Sequence, residues 1–255
     1  MVDKQNQFVA DASHELRTPI TALKTAVEVS LRDKNLDIKQ AKEVLNANLE
    51  DVNRLIALAD GLLTLATLNT NNKQVLEELS LTKVIKEAVN SIKYLGKQKQ
   101  VKIETTLSEI LLVGDREKLI KLFVIFLDNA IKYSPANTVI RITAIKKDAK
   151  AQVSISDQGE GIDAKDLPHI FERFYRADKS RSKTKVEGYG LGLAIAKEIL
   201  DLYKGTVAVE SRSGQGTTFT INLPLKIHYT HRIPPLAGVR RVMPLKDRVN
   251  YYNFI

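Results

Sequence analysis

Residues 11–20 read Asp-Ala-Ser-His-Glu-Leu-Arg-Thr-Pro-Ile and lie inside a long helical pattern that a proline does not end. Apolar residues recur every three or four positions through this part of the chain, which is the spacing of one helical face. Proline removes a backbone hydrogen bond and usually ends or bends a helix. Because the apolar spacing continues past Pro19, we predict one helix over residues 3–32, with His14 on its polar side.

A second helical stretch follows the polar turn 33–37 and carries two apolar stripes. The first stripe consists of Leu45, Leu49, Val52, Ile56, Ala59, Leu63 and Ala66. The second stripe consists of Leu55, Leu58, Leu62 and Leu65. A two-helix hairpin covers only one stripe per helix, so we predict a homodimer whose helices form a four-helix bundle. The alternative is a monomeric hairpin that packs on its own downstream domain.

The pattern changes after a polar linker. Strands are predicted from alternating residues at 101–107, 139–145, 151–156, 206–210 and 217–223, and helices at 81–95, 115–133 and 191–203. Mixed helices and strands without a strict βαβ rhythm favour an α+β sandwich with its helices on one face of the sheet. We therefore divide the chain into a helical hairpin (1–69), a linker (70–74), an α/β-sandwich domain (75–224) and an irregular basic tail (225–255).

Composition excludes several classes of function. The chain has 255 residues, no cysteine and four histidines, so disulfides are excluded and a zinc site is not expected. The net charge is +9, but the tail 225–255 holds six lysines and arginines against one acid, so no nucleic acid is expected to bind the folded part. The tail could bind nucleic acid or an acidic partner, although we favour a non-native addition without a catalytic role.

No apolar run in the sequence is long enough to span a membrane, and the first residues lack the core of a signal peptide. The chain is therefore expected in the cytoplasm. Its abrupt start suggests a fragment of a longer sensor from which membrane segments were removed.

Two glycine clusters could hold phosphate. Asp157-Gln-Gly-Glu-Gly-Ile162 follows a predicted strand, and Gly188-Tyr-Gly-Leu-Gly-Leu193 precedes a predicted helix. Glycine permits close approach of the backbone to a ligand, and a helix N-terminus offers free N–H groups to an anion. Either cluster alone could also be a simple turn. The spacing matches neither a P-loop nor a dinucleotide-binding fingerprint.

Six motifs in this order resemble the H, N, G1, F, G2 and G3 boxes of bacterial sensor histidine kinases. They are His14-Glu-Leu-Arg-Thr-Pro19, Asn129-Ala-Ile-Lys-Tyr133, Asp157-x-Gly-x-Gly161, Phe171-Glu-Arg-Phe-Tyr-Arg176, Gly188-x-Gly-x-Gly192 and Ser213-Gly-Gln-Gly-Thr217. The resemblance implies a protein-histidine kinase that uses ATP and Mg²⁺ and passes a phosphoryl group to an aspartate of a cognate response regulator.

For the hairpin, the resemblance implies that His14 is the phosphoacceptor. We expect Glu15 to accept a hydrogen bond from one ring nitrogen, which leaves the other as the nucleophile. We also expect Pro19 to bend the helix where the kinase domain approaches. Glu15 and Thr18 match a pattern associated in this family with dephosphorylation of the regulator, although Thr18 could also have no catalytic role.

For the downstream domain, the resemblance implies the Bergerat fold shared with type II topoisomerases and Hsp90. Asn129 would bind Mg²⁺, Lys132 would neutralise phosphate charge, and Asp157 would accept a hydrogen bond from the adenine amino group. Other residues expected around the nucleotide are Tyr133, Gly159, Gly161, Gly188, Gly190, Gly192 and Thr217, and Arg176 is the candidate cation for the γ-phosphate. The charged loop 177–187 would be a mobile lid.

Two departures from the family pattern leave room for weaker ATP binding. Ile125 stands where a second asparagine is common, and Glu187 stands where the second glycine loop often opens with glycine. Two other functions therefore stay open. One is a Bergerat-fold ATPase or chaperone-like protein, which would have no use for an exposed His14, and the other is a dimeric scaffold without chemistry.

Overall fold

The structure is a computed structural model that describes residues 2–68, 76–177 and 188–225. Its helices are α1 (Val2–Arg32), α2 (Ile38–Leu68), α3 (Leu81–Gln98), α4 (Arg116–Tyr133) and α5 (Gly192–Leu202). Its strands are β1 (Glu77–Ser80), β2 (Lys102–Leu107), β3 (Leu111–Gly114), β4 (Val139–Lys147), β5 (Lys150–Ser156), β6 (Thr206–Ser211) and β7 (Thr217–Pro224). The predicted linker, lid and basic tail lie outside the described residues, apart from Ala177 and Leu225.

Helices α1 and α2 form the predicted hairpin, and α1 continues through Pro19 as expected. At the start of α2, the Asp37 carboxylate accepts a hydrogen bond from the Gln40 N–H at 2.7 Å. The Gln40 side-chain oxygen accepts one from the Asp37 N–H at 3.1 Å. This reciprocal pair satisfies two N–H groups at the helix end and fixes where α2 begins.

The second stripe of α2 packs on the downstream domain. Leu58 and Leu65 are 1% and 3% exposed and belong to the same hydrophobic cluster as the core of that domain. A Cβ atom placed on Gly61 would lie 3.0 Å from Cδ1 of Leu191, so α2 approaches the start of α5 closely. The second stripe therefore packs on the chain's own downstream domain, as the alternative to a four-helix bundle predicts.

The first stripe of α2 is open. Leu45, Leu49 and Leu63 are 66%, 59% and 63% exposed. Ile56 in the middle of the same stripe is 54% exposed. One chain therefore leaves a continuous apolar face on α2 uncovered.

The downstream domain has one five-stranded sheet with its helices on one face, as predicted. The strand order is β2-β4-β5-β7-β6, in which β2 pairs parallel with β4 and the other neighbours pair antiparallel. Alternate residues such as Val153 and Ile155 point into the core. Phe126 of α4 packs there on Phe219 of β7, with ring centroids 5.0 Å apart.

A separate two-stranded sheet was not predicted. Strands β1 and β3 pair antiparallel, with Leu79 opposite Leu112. Each strand has only four residues. That length is too short for alternation to distinguish a strand from a loop, so the sequence pattern does not reveal it.

Candidate functional site

Asp157 is a buried carboxylate at the end of β5, and its side chain anchors the site. Its Oδ1 atom accepts hydrogen bonds from the N–H groups of Gly159 at 2.8 Å and of Thr217 at 3.1 Å. Burial raises the pKa of Asp157, and these two hydrogen bonds oppose the shift. Among the residues that the structure describes, Oδ2 has no partner, so it can accept a hydrogen bond from a ligand.

The first glycine cluster brings three segments together around Asp157. Gly161 has a φ of +69°, and a Cβ atom there would lie 2.0 Å from a carbonyl oxygen of the β6–β7 turn. A Cβ atom on Gly159 would lie 2.7 Å from the carbonyl oxygen of Tyr133. A Cβ atom on Gly216, which belongs to the sixth motif but was not assigned a role, would lie 2.2 Å from the carbonyl oxygen of Asp157. Only glycine fits these approaches.

The last turns of α4 carry the predicted metal and phosphate residues. The Asn129 side chain has no hydrogen-bond partner within the described ranges. Lys132 forms an ion pair with Asp128 at 2.6 Å, a carboxylate that sequence analysis missed. Partial burial raises the pKa of Tyr133, and the positive charge of Arg176 opposes that shift. Arg176 therefore lies on the same side of the domain as the end of α4.

The second glycine loop leads into α5. Gly190 has a φ of +70°, and a Cβ atom there would lie 2.4 Å from the carbonyl oxygen of Tyr175. The Phe174 N–H also donates to the carbonyl oxygen of Gly190 at 3.1 Å. Helix α5 begins at Gly192 without a side-chain cap, so its first N–H groups are available to an anion. Gly188 is exposed, and a Cβ atom there would meet nothing within 4 Å.

Ile125, one of the two departures from the family pattern, has a packing role. Its Cγ2 atom would lie 3.4 Å from a Cβ atom on Gly192. It contacts the hydrophobic core, and an aliphatic side chain offers no ligand to a metal ion. The other departure, Glu187, lies outside the described residues.

His14 is exposed on α1, as the helical spacing predicts. In residues 2–68, 76–177 and 188–225, its side chain forms no hydrogen bond or ion pair, so the expected bond to Glu15 is not formed in this structure. The Thr18 hydroxyl donates to the carbonyl oxygen of His14 at 3.3 Å. Thr18 is therefore one turn from His14 on the same side of α1.

Tyr189 links the glycine loop to the hairpin. Burial raises the pKa of Tyr189, the charge of Arg54 opposes this, and the charges of Asp51 and Glu15 reinforce it. Glu15 belongs to α1, and the other two residues belong to α2. Sequence analysis did not identify Tyr189 as a site residue. Tyr189 and Leu16 of α1 both pack against the hydrophobic cluster that includes Leu58 and Leu191.

A second contact holds the two domains together. The Lys121 ammonium on α4 lies 2.6 Å from the Thr64 hydroxyl on α2. Burial lowers the pKa of Lys121, and the charge of Asp60 opposes this shift. The hairpin thus contacts the downstream domain through polar groups as well as through Gly61.

Comparisons with known proteins agree with this arrangement. Residues 4–71 match the family model of the His Kinase A (phospho-acceptor) domain. Residues 114–227 match that of the histidine kinase-, DNA gyrase B- and HSP90-like ATPase. Together they account for most of the chain, which combines a phosphoacceptor hairpin with an ATPase domain. The chain belongs to the bacterial sensor histidine kinases of two-component systems.

The signal transduction histidine-protein kinase ArlS of Staphylococcus haemolyticus (strain JCSC1435) is 38% identical over 221 residues, which cover 86% of this chain and 48% of ArlS. The structure of histidine kinase AdeS of Acinetobacter baumannii aligns with a TM-score of 0.66 at 26% identity, covering 84% of this chain and 98% of AdeS. Histidine kinase ThkA in complex with response regulator protein TrrA has the same fold, with a TM-score of 0.70 at 22% identity over 88% of this chain and 63% of ThkA.

The chain spans about half the length of the curated relatives it matches. Within the described part of the chain, no helix combines the length and the apolar character needed to cross a membrane.

Proposed function

We propose that this chain uses ATP to phosphorylate His14 and then passes the phosphoryl group to an aspartate of a response regulator. The observation that carries the proposal is the packing of the hairpin on the residues that open α5. A Cβ atom on Gly61 would lie 3.0 Å from Cδ1 of Leu191, and Leu16, two residues after His14, packs against the same hydrophobic cluster as Leu191. A loop suited to ATP phosphates therefore lies next to the turn of α1 that carries the exposed imidazole.

Three features of the pocket support ATP as the nucleotide. Oδ2 of Asp157 can accept a hydrogen bond from an exocyclic amino group, as the family resemblance implies for adenine. The uncapped N-terminus of α5 suits a phosphate. Arg176 adds positive charge near the end of α4, where Lys132 is paired with Asp128, and negative charge increases there during phosphoryl transfer.

The residues around Asn129 fit a Mg²⁺ ion that is bound mainly through the nucleotide. No group of three or more His, Asp or Glu able to hold a metal occurs among the described residues. The protein would therefore contribute the amide oxygen of Asn129, and phosphate oxygens and water would complete the coordination. When bound, Mg²⁺ would neutralise phosphate charge.

In the proposed reaction, one nitrogen of the neutral His14 ring forms a bond to the γ-phosphorus of ATP. The bond from that phosphorus to the β,γ-bridging oxygen breaks, and ADP leaves with the electron pair. Glu15 would accept a hydrogen bond from the other ring nitrogen and stabilise the positive charge that the ring gains. A carboxylate oxygen of the regulator's aspartate then attacks the same phosphorus, and the bond to His14 breaks.

Dephosphorylation of the regulator is a further proposed activity of the same site. Thr18 lies one turn from His14, and its hydroxyl could orient the attacking water. We therefore expect Thr18→Val to slow loss of phosphate from the regulator while His14 is phosphorylated as before. If the regulator loses phosphate equally fast with the unchanged chain and with Thr18→Val, Thr18 has no part in the dephosphorylation.

We also propose a homodimer, because the open first stripe of α2 needs a cover. The exposed leucines Leu45, Leu49 and Leu63 repeat along one face of the helix. A second hairpin with the same stripe would bury this face in a four-helix bundle. We propose that the hairpin ends at residue 69 and that the ATP-binding domain begins at residue 75. We also propose a cytoplasmic location, where ATP is available. A membrane-bound parent protein is a further expectation from the family resemblance.

The experiment that tests the function is incubation of the chain with γ-labelled ATP and Mg²⁺, followed by acid and base treatment. Phosphohistidine loses its label in acid and keeps it in base, and His14→Gln should remove all of the label. His169→Gln is the matched control, because it removes another exposed imidazole outside the hairpin. ATP binding is measured for each protein. Label that persists in His14→Gln, or no label despite bound ATP, would contradict the proposal.

A further inference from the structure

A groove of about 460 Å³ lies between α3 and the edge strand β2. Its apolar side chains come from Val89 on α3, from Val101 directly before β2 and from Ile103 in β2. Val101 is 7% exposed and Ile103 is half-buried, so their side chains form part of the hydrophobic core as well as the groove. The volume is within the range of sites that hold small ligands or several side chains.

One wall of the groove is a row of lysines. Lys86, Lys93 and Lys97 line it from α3, at positions i, i+7 and i+11, which place them on one face of the helix. All three side chains are exposed. None of them has an ion pair or hydrogen bond to a side chain within the described residues.

The nearest acids do not neutralise this row. Glu87 pairs with Arg116 of α4. Glu104 pairs with Lys102 at 2.8 Å and with Arg141 at 3.8 Å, and it points to the opposite face of β2 from Ile103. The groove therefore keeps an uncompensated positive charge beside apolar residues.

The other wall offers unpaired backbone groups. Strand β2 is at the edge of the sheet, and its one strand partner among the described residues is β4. The N–H of Lys102 donates to Thr138 at 2.9 Å and that of Ser108 to Ala144 at 2.9 Å, so even-numbered residues of β2 face β4. Because successive backbone groups alternate in direction, the N–H and C=O groups of Ile103 and Thr105 point away from the sheet.

We propose that this groove binds an extended acidic segment of a partner protein as a sixth strand beside β2. Backbone groups of Ile103 and Thr105 would form the new ladder. Every second side chain of the segment would point to the α3 side, where an apolar one would face Val89 and Ile103 and carboxylates would pair with the α3 lysines. Charge complementarity selects an acidic occupant. None of the residues that line the groove is among those assigned to the nucleotide site, so the test of binding does not depend on the proposed kinase activity.

The test uses fluorescein-labelled, N-acetylated octapeptides and fluorescence anisotropy with the whole chain at low salt. The binding peptide, Thr-Glu-Thr-Val-Thr-Glu-Thr-Glu, is called the glutamate–valine peptide, and its glutamates and valine share one face of a strand. The control peptide has proline in place of every threonine, so it has the same charge and cannot form a ladder. We expect the first to bind at least about fivefold more tightly, since one or more backbone hydrogen bonds are lost in the control. Equal binding of both peptides, or no binding of either, would overturn the proposal.

Two sets of variants locate the binding surface. Lys86→Gln/Lys93→Gln/Lys97→Gln should weaken the glutamate–valine peptide by about tenfold, because three ion pairs are removed. The matched control is Lys146→Gln/Lys147→Gln/Lys150→Gln, which removes the same charge from the exposed β4–β5 turn and should leave affinity unchanged. Equal loss in both triple variants would mean that the peptide responds only to net charge, as a nucleic acid or an anionic membrane would.

A change in β2 tests the ladder. Thr105→Pro removes one outward N–H without touching the hydrogen bonds to β4, and proline is tolerated on the open side of an edge strand. Affinity should fall about fivefold, whereas Thr105→Val should bind like the unchanged chain. Far-UV circular dichroism checks that both variants fold. A folded Thr105→Pro protein with full affinity would exclude strand addition. If the Thr105→Pro protein does not fold, the comparison of the two peptides on the unchanged chain tests strand addition instead.

Discussion

The downstream ATPase domain and the hairpin differ in how they bury their apolar residues. In the domain, Phe126 and Leu127 are fully buried within one chain. In the hairpin, Leu49 and Ile56 are 59% and 54% exposed, although they repeat with the regularity of a core. The domain buries its apolar residues within one chain, whereas the hairpin would bury its open stripe only in the proposed dimer. His14, the proposed phosphoacceptor, lies on this hairpin.

The largest expected effect is on the stability of the domain. Phe126→Ala removes a fully buried ring that packs on Phe219 and should lower the free energy of unfolding by about 3–5 kcal/mol. Leu49→Ala, on the open stripe, should change the unfolding of the domain by less than about 0.5 kcal/mol. Urea unfolding followed by tyrosine fluorescence checks both. Comparable losses would mean that the open stripe of α2 contributes to the stability of the domain.

A second prediction separates ligand binding from folding inside the domain. Asp157→Asn keeps an oxygen for the N–H groups of Gly159 and Thr217 but replaces the free Oδ2 acceptor by a donor. ATP affinity should fall about 10- to 100-fold, because a hydrogen bond to a charged acceptor is lost. Isothermal calorimetry measures this. Unchanged affinity would show that Asp157 does not contact the nucleotide.

The pH dependence of the domain follows from the same carboxylate. Burial raises the pKa of Asp157, so its contribution to the free energy of unfolding is present below the ordinary pKa of an aspartate and is lost as pH rises through the raised value. Thermal melts without nucleotide should therefore show Asp157→Asn gaining stability relative to the unchanged chain as pH rises from the ordinary pKa of an aspartate through the raised value. ATP affinity of the unchanged chain should decrease as pH falls through that same raised pKa. A constant difference in melting temperature would contradict the assignment.

The smallest effect concerns the contact between the two regions. The Lys121 ammonium and the Thr64 hydroxyl are 2.6 Å apart, so a double-mutant cycle with Lys121→Met and Thr64→Val should give a coupling energy of about 1 kcal/mol. Thr67→Val is the matched control, because the Thr67 hydroxyl donates to Leu63 in its own helix at 2.8 Å. Equal coupling of both threonines to Lys121 would show that this contact does not hold the domains together.

Periodicity predicts the helices and the large sheet because those segments are long enough to show a repeat. The turn at Asp37 and the continuation of α1 through Pro19 also follow from local residues. The β1–β3 pair was not predicted, since strands of four residues carry no clear alternation. The first stripe of α2 was predicted as an interface, and the structure leaves it open.

The candidate site was only partly predictable. The motif residues around Asp157 converge as expected. The close approach at Gly216 and the ion pair of Asp128 were not predicted, because close backbone approaches and ion pairs are set by the folded structure. Tyr189 was missed for the same reason: it faces charges on α1 and α2 that are distant in sequence. The expected hydrogen bond between His14 and Glu15 is absent from this structure, and its role in catalysis stays a prediction.

The central claim is that one chain buries the core of the ATPase domain, whereas two chains are needed to bury the open stripe of the hairpin. Sedimentation equilibrium tests this claim most directly. The unchanged chain, 28.5 kDa per copy, should sediment at twice that mass. Leu49→Lys/Ile56→Lys, which places charges on the open stripe, should sediment as a single copy and still bind ATP with unchanged affinity. A single-copy mass for the unchanged chain at all concentrations, or a double mass for the variant, would contradict the account.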